Sequence, residues 1–207
     1  MNFLDRLNIY FYHKDRNKKW PDNPPKILGW RDEESQLSRF RIIAKQHDFN
    51  HKSVLDLGCG YGDFKPFIDQ HYDIAYYTGI DQHKAFIKEA KKRQLTASEF
   101  VNADFARDTL PKHDIVIASG SLNYHSSDSN YLVNMISKMY QTANDAVIFN
   151  LLNAKTFPED TLLKSYHADQ VLAYCRSLSS DSYIEDQYST DDFTVVLKKP
   201  QIIQKDK

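Results

Sequence analysis

The sequence predicts an α/β fold: a mostly parallel sheet with helices on both faces and a C-terminal antiparallel hairpin. Three observations support this prediction. Short apolar runs typical of buried strands alternate with segments of helical periodicity from residue 53 onwards. Three of the six glycines in the chain follow directly after the first of these runs. Near the C-terminus, two strand-like runs are separated by a Ser-Thr-Asp-Asp turn, which indicates a hairpin.

The length and composition of the chain indicate one globular unit. Its 207 residues are 41% hydrophobic and 27% charged, which is enough apolar material for a single α/β core. The formal net charge of -1 gives no general attraction to nucleic acid or to an anionic membrane. The two cysteines, Cys59 and Cys175, form neither a disulfide framework nor a zinc pattern. Since no signal peptide or membrane span is evident, we expect a cytoplasmic protein.

The N-terminal residues 1–47 differ from the rest and are predicted to form an appendage to a domain of residues 48–207. Residues 1–30 are aromatic, basic and then rich in proline, and we expect them to be irregular. An amphipathic helix is predicted over Glu34–His47. Because a parallel sheet leaves its ligand crevice open, we expect this appendage to cover it as a lid. The alternative, in which its aromatic rings only pack on the sheet or on another subunit, remains open.

The elements of the domain follow from local patterns in chain order. Strands are predicted at Ser53–Leu57, Tyr76–Ile80, Glu99–Asn102, Asp114–Ala118 and Ala146–Leu152. Helices with one apolar face are predicted after Asp63, which can cap the first of them, and at His83–Arg93, Ser129–Ala143 and Asp169–Leu178. The hairpin strands are predicted at Ser182–Tyr188 and Phe193–Lys198.

The turn after the first strand contains Gly58, Gly60 and Gly62. Glycine is needed where φ is positive or where a ligand contacts the backbone. The turn leads into a helix N-terminus, which favours a negatively charged group. Its G-x-G-x-G spacing differs from the dinucleotide fingerprint G-x-G-x-x-G, because Asp63 replaces the third glycine. An acidic side chain there disfavours a pyrophosphate and is compatible with the ammonium group of an amino acid.

Acidic residues also follow the next two strands. Asp81 ends the second strand, where a carboxylate can bind the hydroxyls of a ribose; an aspartate at this place can equally be a helix cap. Asp104 and Phe105 follow the third strand. The carboxylate can accept a hydrogen bond from an adenine amino group while the ring lines the base, although a plain loop with a buried phenylalanine explains the same residues.

Four segments together resemble the successive motifs of class I S-adenosylmethionine-dependent methyltransferases. They are VLDLGCGYGDF (Val54–Phe64), GIDQ (Gly79–Gln82), NADF (Asn102–Phe105) and DIVIASGSLNY (Asp114–Tyr124). Their order and spacing match the family over roughly residues 50–200. The resemblance implies a seven-stranded sheet with the last strand antiparallel, and S-adenosylmethionine as cofactor.

The resemblance also implies which residues bind the cofactor. They are Asp56, Gly58, Gly60, Gly62, Asp81, Gln82, Asp104, Phe105, Ser119 and Gly120. Within this set, Asp56 and Gly58 are expected at the methionine end and Asp81 at the ribose. Asp104 and Phe105 are expected at the adenine. Ser119 and Gly120 are expected beside the methionine moiety and the methyl group.

The acceptor side is expected beyond the fourth and fifth strands. Tyr124 and His125 are the candidates for a base or a positioning group; the alternative is that Tyr124 packs and His125 is solvated. The segment Ser119–His125 lacks the Asn/Asp-Pro-Pro-Tyr run of enzymes that methylate bases or glutamine, which disfavours nucleic-acid and protein-amide substrates. Methyl transfer from a sulfonium requires alignment and exclusion of water, so we expect no metal.

The resulting hypothesis is an S-adenosylmethionine-dependent methyltransferase that acts on a small molecule by in-line transfer, without a membrane partner. Two alternatives remain: a non-catalytic S-adenosylmethionine-binding module and an NAD-linked oxidoreductase. The glycine spacing, Asp63 and the terminal hairpin argue against the oxidoreductase. The sequence does not determine the methyl acceptor or the oligomeric state.

Overall fold

The computed structural model describes residues 1–200, and the predicted domain end at residue 207 lies outside this range. One seven-stranded sheet has the order β3-β2-β1-β4-β5-β7-β6. Its strands are β1 Ser53–Leu57, β2 Tyr76–Asp81, β3 Ser98–Asn102, β4 His113–Ala118, β5 Ala143–Leu152, β6 Ser182–Glu185 and β7 Asp192–Lys198. The helices are α1 Phe3–Lys19, α2 Pro24–Ile27, α3 Glu33–Ala44, α4 Phe64–Asp69, α5 Lys84–Lys92, α6 Tyr131–Thr142 and α7 Ala168–Leu178.

The predicted fold class is confirmed. Strands β1 to β5 pair in parallel, and β7 runs antiparallel to both of its neighbours, β5 and β6. An apolar core lies on each face, because successive side chains of a strand point to opposite sides. Leu55 and Leu57 of β1 pack with α6 and α7. Val54 packs on the other face with α3, α4 and α5.

The N-terminal prediction of an irregular segment over residues 1–30 is wrong, because α1 and α2 are helical. A capping box begins α1: the Asn2 side chain accepts from the Asp5 amide, and the Asp5 carboxylate accepts from the Asn2 amide, both at 2.9 Å. Ile9 and His13 are buried on the inner face of α1. Exposed aromatic side chains such as Phe11 lie on the outer face, and this mixture hides the helical periodicity.

Smaller differences concern element ends. Helix α3 ends at Ala44 instead of His47, and β6 ends at Glu185 instead of Tyr188. The side chain of Asp63 makes no capping hydrogen bond at the start of α4. Its carboxylate instead accepts from Gln36 and Arg93 (3.2 and 2.5 Å), which draws it towards α3 and α5.

The sheet topology places the ligand crevice. The strand order reverses between β1 and β4, and in open α/β sheets ligands bind at the carboxyl ends of the strands on either side of such a point. The turn at Gly58 follows β1 and the turn at Gly120 follows β4. Over residues 1–200, every helix is too short or too polar to cross a bilayer.

Candidate active site

A cavity of about 960 Å³ lies at the carboxyl ends of β1, β2, β3 and β4. Its floor is formed by the turns that follow these strands, and its cover is formed by residues of α1, α3 and the connection between them. This volume lies at the upper end of the range for small-molecule pockets, about 300–1,000 Å³. The cavity is therefore large enough for two small ligands side by side.

The glycine turn is fastened to the end of β2. The Gly58 amide donates to the Ile80 carbonyl at 2.7 Å, and the Gly60 amide donates to the Asp81 carboxylate at 3.0 Å. Both glycines have positive φ, 80° and 56°, so the turn requires residues without a side chain. Both also line the cavity, which leaves the backbone of the turn open to a ligand.

Asp81 links the glycine turn to the residue before α5, and it does not cap that helix. One carboxylate oxygen accepts from Gly60, and the other accepts at 2.7 Å from the amide of His83, just before α5. Each oxygen retains a lone pair that can accept from a hydroxyl. Burial raises the pKa of Asp81 to about 6, although both amides oppose this rise. The residue lines the cavity together with Gln82.

Asp56 is buried beneath the glycine turn at the cavity wall. Its carboxylate accepts a hydrogen bond from the hydroxyl of Tyr77 at 2.5 Å. Burial raises the pKa of Asp56 to about 7, and the Tyr77 hydrogen bond acts in the opposite direction. The arrangement fixes the end of β1 relative to β2 and leaves one carboxylate oxygen without a hydrogen bond from Tyr77.

Asp104 and the buried ring of Phe105 form the end of the cavity beyond β3. One Asp104 oxygen accepts from the amide of Ala106 at 3.1 Å. The other accepts at 3.0 Å from the guanidinium of Arg6, which reaches it from α1. The residue expected beside an adenine is thus also a fastening point for the N-terminal helix.

The turn after β4 lies against the segment between α2 and α3. Gly120 has a φ of 76°, and a Cβ there would lie 2.7 Å from the indole of Trp30. Ser119 lines the same part of the cavity, and its hydroxyl donates to Asn150 of β5 at 3.2 Å. Only glycine fits at position 120 while Trp30 stays in place.

The two predicted acceptor-side residues are placed differently. Tyr124 lines the cavity, and its hydroxyl lies 2.9 Å from Nε2 of His13. Among the described cavity-lining residues, His125 does not occur, and its amide donates to the Leu162 carbonyl at 2.8 Å. Gly62 also lies outside that lining; it turns the chain into α4.

Four buried polar side-chain atoms of residues 1–200 have no hydrogen-bond partner in the protein, and all belong to cavity-lining residues. They are Arg6 Nε, both ring nitrogens of His83, and the hydroxyl of Tyr131. Buried polar groups without partners cost about 1–3 kcal/mol each and are rare in native proteins. The three residues all line the same cavity, although these atoms themselves are covered by protein.

Sequence reasoning missed these residues for different reasons. His83 follows the GIDQ motif directly, and this position could have identified it as a candidate site residue. Tyr131 belongs to a helix whose apolar periodicity assigned it to the core. Arg6 and His13 lie on α1, and they meet the motif residues only because that helix folds back over the sheet.

Comparison with known proteins bears on the class of the domain. Residues 54–145 match the family model described as a methyltransferase domain. This match and the class I fold confirm the resemblance drawn from the motifs. The matched segment runs from β1 into β5 and includes the turns that form the floor of the cavity.

Curated relatives match over part of their length. A trans-aconitate 2-methyltransferase of Escherichia coli strain SE11 is 35% identical over 104 residues, 49% of this chain and 40% of that protein. Another, from Escherichia coli O1:K1 / APEC, is 32% identical over 122 residues, 56% of this chain and 47% of that protein. The matches thus span less than half the length of these relatives.

Solved structures match over nearly the whole chain. A magnesium protoporphyrin IX methyltransferase from Synechocystis PCC 6803, crystallised with bound SAH, has a TM-score of 0.68 and 14% identity and covers 95% of this chain and 100% of its own. The N-methyltransferase NodS from Bradyrhizobium japonicum WM9, also with S-adenosyl-L-homocysteine, has a TM-score of 0.66 and 16% identity, with 93% and 98% coverage. At this identity, the similarity establishes the fold.

Proposed function

We propose that this protein is an S-adenosylmethionine-dependent methyltransferase that acts on a small molecule. One observation carries the proposal: a single cavity joins the glycine turn, Asp81, Asp104 and Gly120, in a chain that matches a methyltransferase domain over residues 54–145. The trans-aconitate methyltransferases among its relatives are named for a small-molecule substrate, which supports that substrate class.

The residues of the cavity fit the cofactor. Asp81 offers carboxylate lone pairs to the ribose hydroxyls, and Asp104 offers an acceptor for the adenine amino group. The open backbone of Gly58 and Gly60 receives the methionine end.

The protein's contribution to methyl transfer is positioning. The bound sulfonium supplies an activated methyl group, so the chain has to align an acceptor with it and exclude water. Gly120 permits close approach at the end of β4, while Trp30 covers that turn from the lid side. The volume beyond these residues accommodates the acceptor.

The proposal predicts selective cofactor binding. Isothermal titration calorimetry of the purified protein should detect S-adenosylhomocysteine and S-adenosylmethionine binding and no NAD binding, because the turn has G-x-G-x-G spacing and Asp63 at its end. NAD binding without S-adenosylhomocysteine binding would reject the proposal. Cofactor binding without S-adenosylhomocysteine formation across broad acceptor sets would favour the non-catalytic binding module instead.

We further propose that residues 1–47 act as the lid of this site. Helix α1 is fastened at three places: Arg6 to Asp104, Asp5 to the Ser127 amide at 3.1 Å, and His13 to Tyr124. These contacts join the helix to the turns after β3 and β4. Excluding water strengthens the electrostatic interactions inside a closed site.

The lid proposal predicts that deletion of residues 1–30 weakens S-adenosylhomocysteine binding roughly tenfold, the equivalent of one charge-assisted hydrogen bond. Calorimetry measures the affinity, and circular dichroism checks that the truncated protein is folded. Arg6→Met, which removes only the contact with Asp104, is the milder companion variant. Full affinity and turnover in a folded truncated protein would contradict the lid.

A further inference from the structure

A buried histidine of α1 and a tyrosine of the loop after β4 form a hydrogen-bonded pair beside the cavity. Nδ1 of His13 lies 2.9 Å from the carbonyl oxygen of Ile27, and Nε2 lies 2.9 Å from the hydroxyl oxygen of Tyr124. His13 is buried, with its ring edge-on to those of Phe86 and Tyr124. The pair joins α1, the end of α2 and the loop after β4.

The direction of both hydrogen bonds follows from their chemistry. A carbonyl oxygen only accepts, so the proton of the neutral imidazole must lie on Nδ1, facing Ile27. Burial lowers the pKa of His13 to about 4, and the ring is therefore neutral near pH 7. Nε2 then has a lone pair and no proton, so the Tyr124 hydroxyl must donate to it.

This direction determines what Tyr124 offers to a ligand. A tyrosine hydroxyl has one proton, and here that proton is committed to His13. Tyr124 lines the cavity, and towards a ligand that reaches its hydroxyl the oxygen can act only as an acceptor. A group that lies against it favourably must therefore carry a hydrogen-bond donor.

We propose that the methyl acceptor of this protein is an uncharged amine whose N–H group is held by the Tyr124 oxygen, with His13 as the positioning residue behind it. This inference rests on the proposed function and adds the substrate class. An amine nitrogen can donate one hydrogen bond to Tyr124 and keep its lone pair directed at the methyl group.

Other acceptor chemistries fit the pair less well. A carboxylate has no proton, so its oxygen would face the Tyr124 oxygen without a hydrogen bond between them. A hydroxyl acceptor has to lose its proton as it reacts, and this requires a base that is effective near neutral pH. Buried His13, with its pKa lowered to about 4, is a weak base.

The transfer is balanced without a base. The nitrogen lone pair forms the new N–C bond, and the S–C bond breaks with its electron pair going to sulfur. The positive charge passes from sulfur to nitrogen. The amine keeps its proton on Tyr124 during the reaction, and the product leaves as an ammonium ion that equilibrates with water.

Matched acceptors test the substrate class. We would measure S-adenosylhomocysteine formation with two matched sets of acceptors. One set is aniline, phenol and benzoate, and the other is naphthylamine, naphthol and naphthoate. The amines should be methylated in preference to their oxygen counterparts. At saturating S-adenosylmethionine, Tyr124→Phe and His13→Leu should each lower kcat/KM for the amine about threefold to tenfold, the value of one neutral hydrogen bond. Saturation is needed because both variants also remove a contact that fastens α1.

The double variant should lose no more than Tyr124→Phe alone, because His13 acts through Tyr124. Tyr174→Phe is the control: its hydroxyl also makes a side-chain hydrogen bond, to Ser137 of α6, and it does not line the cavity within the described residues. Nitrogen NMR of labelled histidine supplies a readout that is independent of activity. It should find His13 protonated on Nδ1 alone at pH 7, with a change at Nε2 in Tyr124→Phe.

The outcomes separate the two proposals. Four results would each overturn the amine inference. They are faster methylation of the carboxylate or the alcohol, no methylation of any amine, amine transfer unaffected by Tyr124→Phe, and a proton on Nε2 of His13. In those cases measurable S-adenosylhomocysteine binding leaves the proposed function standing. Absence of that binding instead removes the proposed function.

Discussion

Asp81→Ala is expected to weaken S-adenosylhomocysteine binding about tenfold to a hundredfold with little change in fold. A hydrogen bond to a charged group contributes roughly 1.5–3 kcal/mol, which corresponds to this range of affinity. The carboxylate is buried and already fixed by the amides of Gly60 and His83, so a ribose meets an ordered acceptor. Calorimetry on the variant and the parent protein measures the difference.

The same residue predicts a pH dependence. Because the pKa of Asp81 is raised to about 6 in the free protein, the carboxylate is ionised above that pH and protonated below it. S-Adenosylhomocysteine affinity should therefore be full near pH 8 and fall as the pH drops through about 6. Asp81→Asn should lose this step, and any slope that remains belongs to Asp56, whose pKa is raised to about 7.

Asp63→Ala is the matched control for Asp81→Ala. Asp63 is an acidic residue next to the same glycine turn, but its carboxylate bonds to Gln36 and Arg93, and it is absent from the described lining of the cavity. Its replacement should leave the affinity close to that of the parent. Equal losses from both variants, or unchanged affinity in Asp81→Ala, would remove Asp81 from the ribose site.

The floor of the site was predictable because it is local in sequence. Each strand that ends in the crevice carries a cavity-lining residue at its end or within two residues of it, so Gly58, Asp81 and Asp104 could be named from strand patterns and spacing. The parallel sheet then brings these positions together at one edge. The family resemblance supplied their individual roles.

The cover of the site was not predictable in the same way. Helix α1 carries exposed Phe3 and Phe11 and has no clean apolar stripe, so hydrophobic periodicity did not predict this helix. The Asn2–Asp5 capping box was the sequence signal that could have predicted where it begins. The pairing of His13 with Tyr124 joins residues 111 positions apart. A pairing of that kind depends on how the helix docks, and no local pattern specifies it.

Arg39 of α3 lines the cavity, but its charge is already paired within the protein. The structure pairs it with Asp192 of β7: Nε lies 3.2 Å from one carboxylate oxygen, and Nη2 bonds the other. The guanidinium also lies over the ring of Trp30, 4.9 Å from its centroid, and Nη1 donates to the Ser35 carbonyl. Helix α3 is thus fastened to the sheet by a charge pair at the cavity wall.

Arg39→Ala is expected to lower the free energy of unfolding by about 3–5 kcal/mol, because removing one partner of a buried ion pair leaves the other charge buried without compensation. The side chains of Arg39 and Asp192 are only 13% and 2% exposed, so water cannot replace the lost guanidinium. Arg41→Ala is the matched control. Arg41 lies on the same helix and pairs with Glu34, but the two side chains are 47% and 69% exposed, so its loss should be close to neutral. Urea unfolding measures both variants. If Arg39→Ala also proves neutral, the pair does not fasten the lid; if Arg39→Ala combined with Asp192→Leu regains much of the loss, the uncompensated carboxylate is its cause.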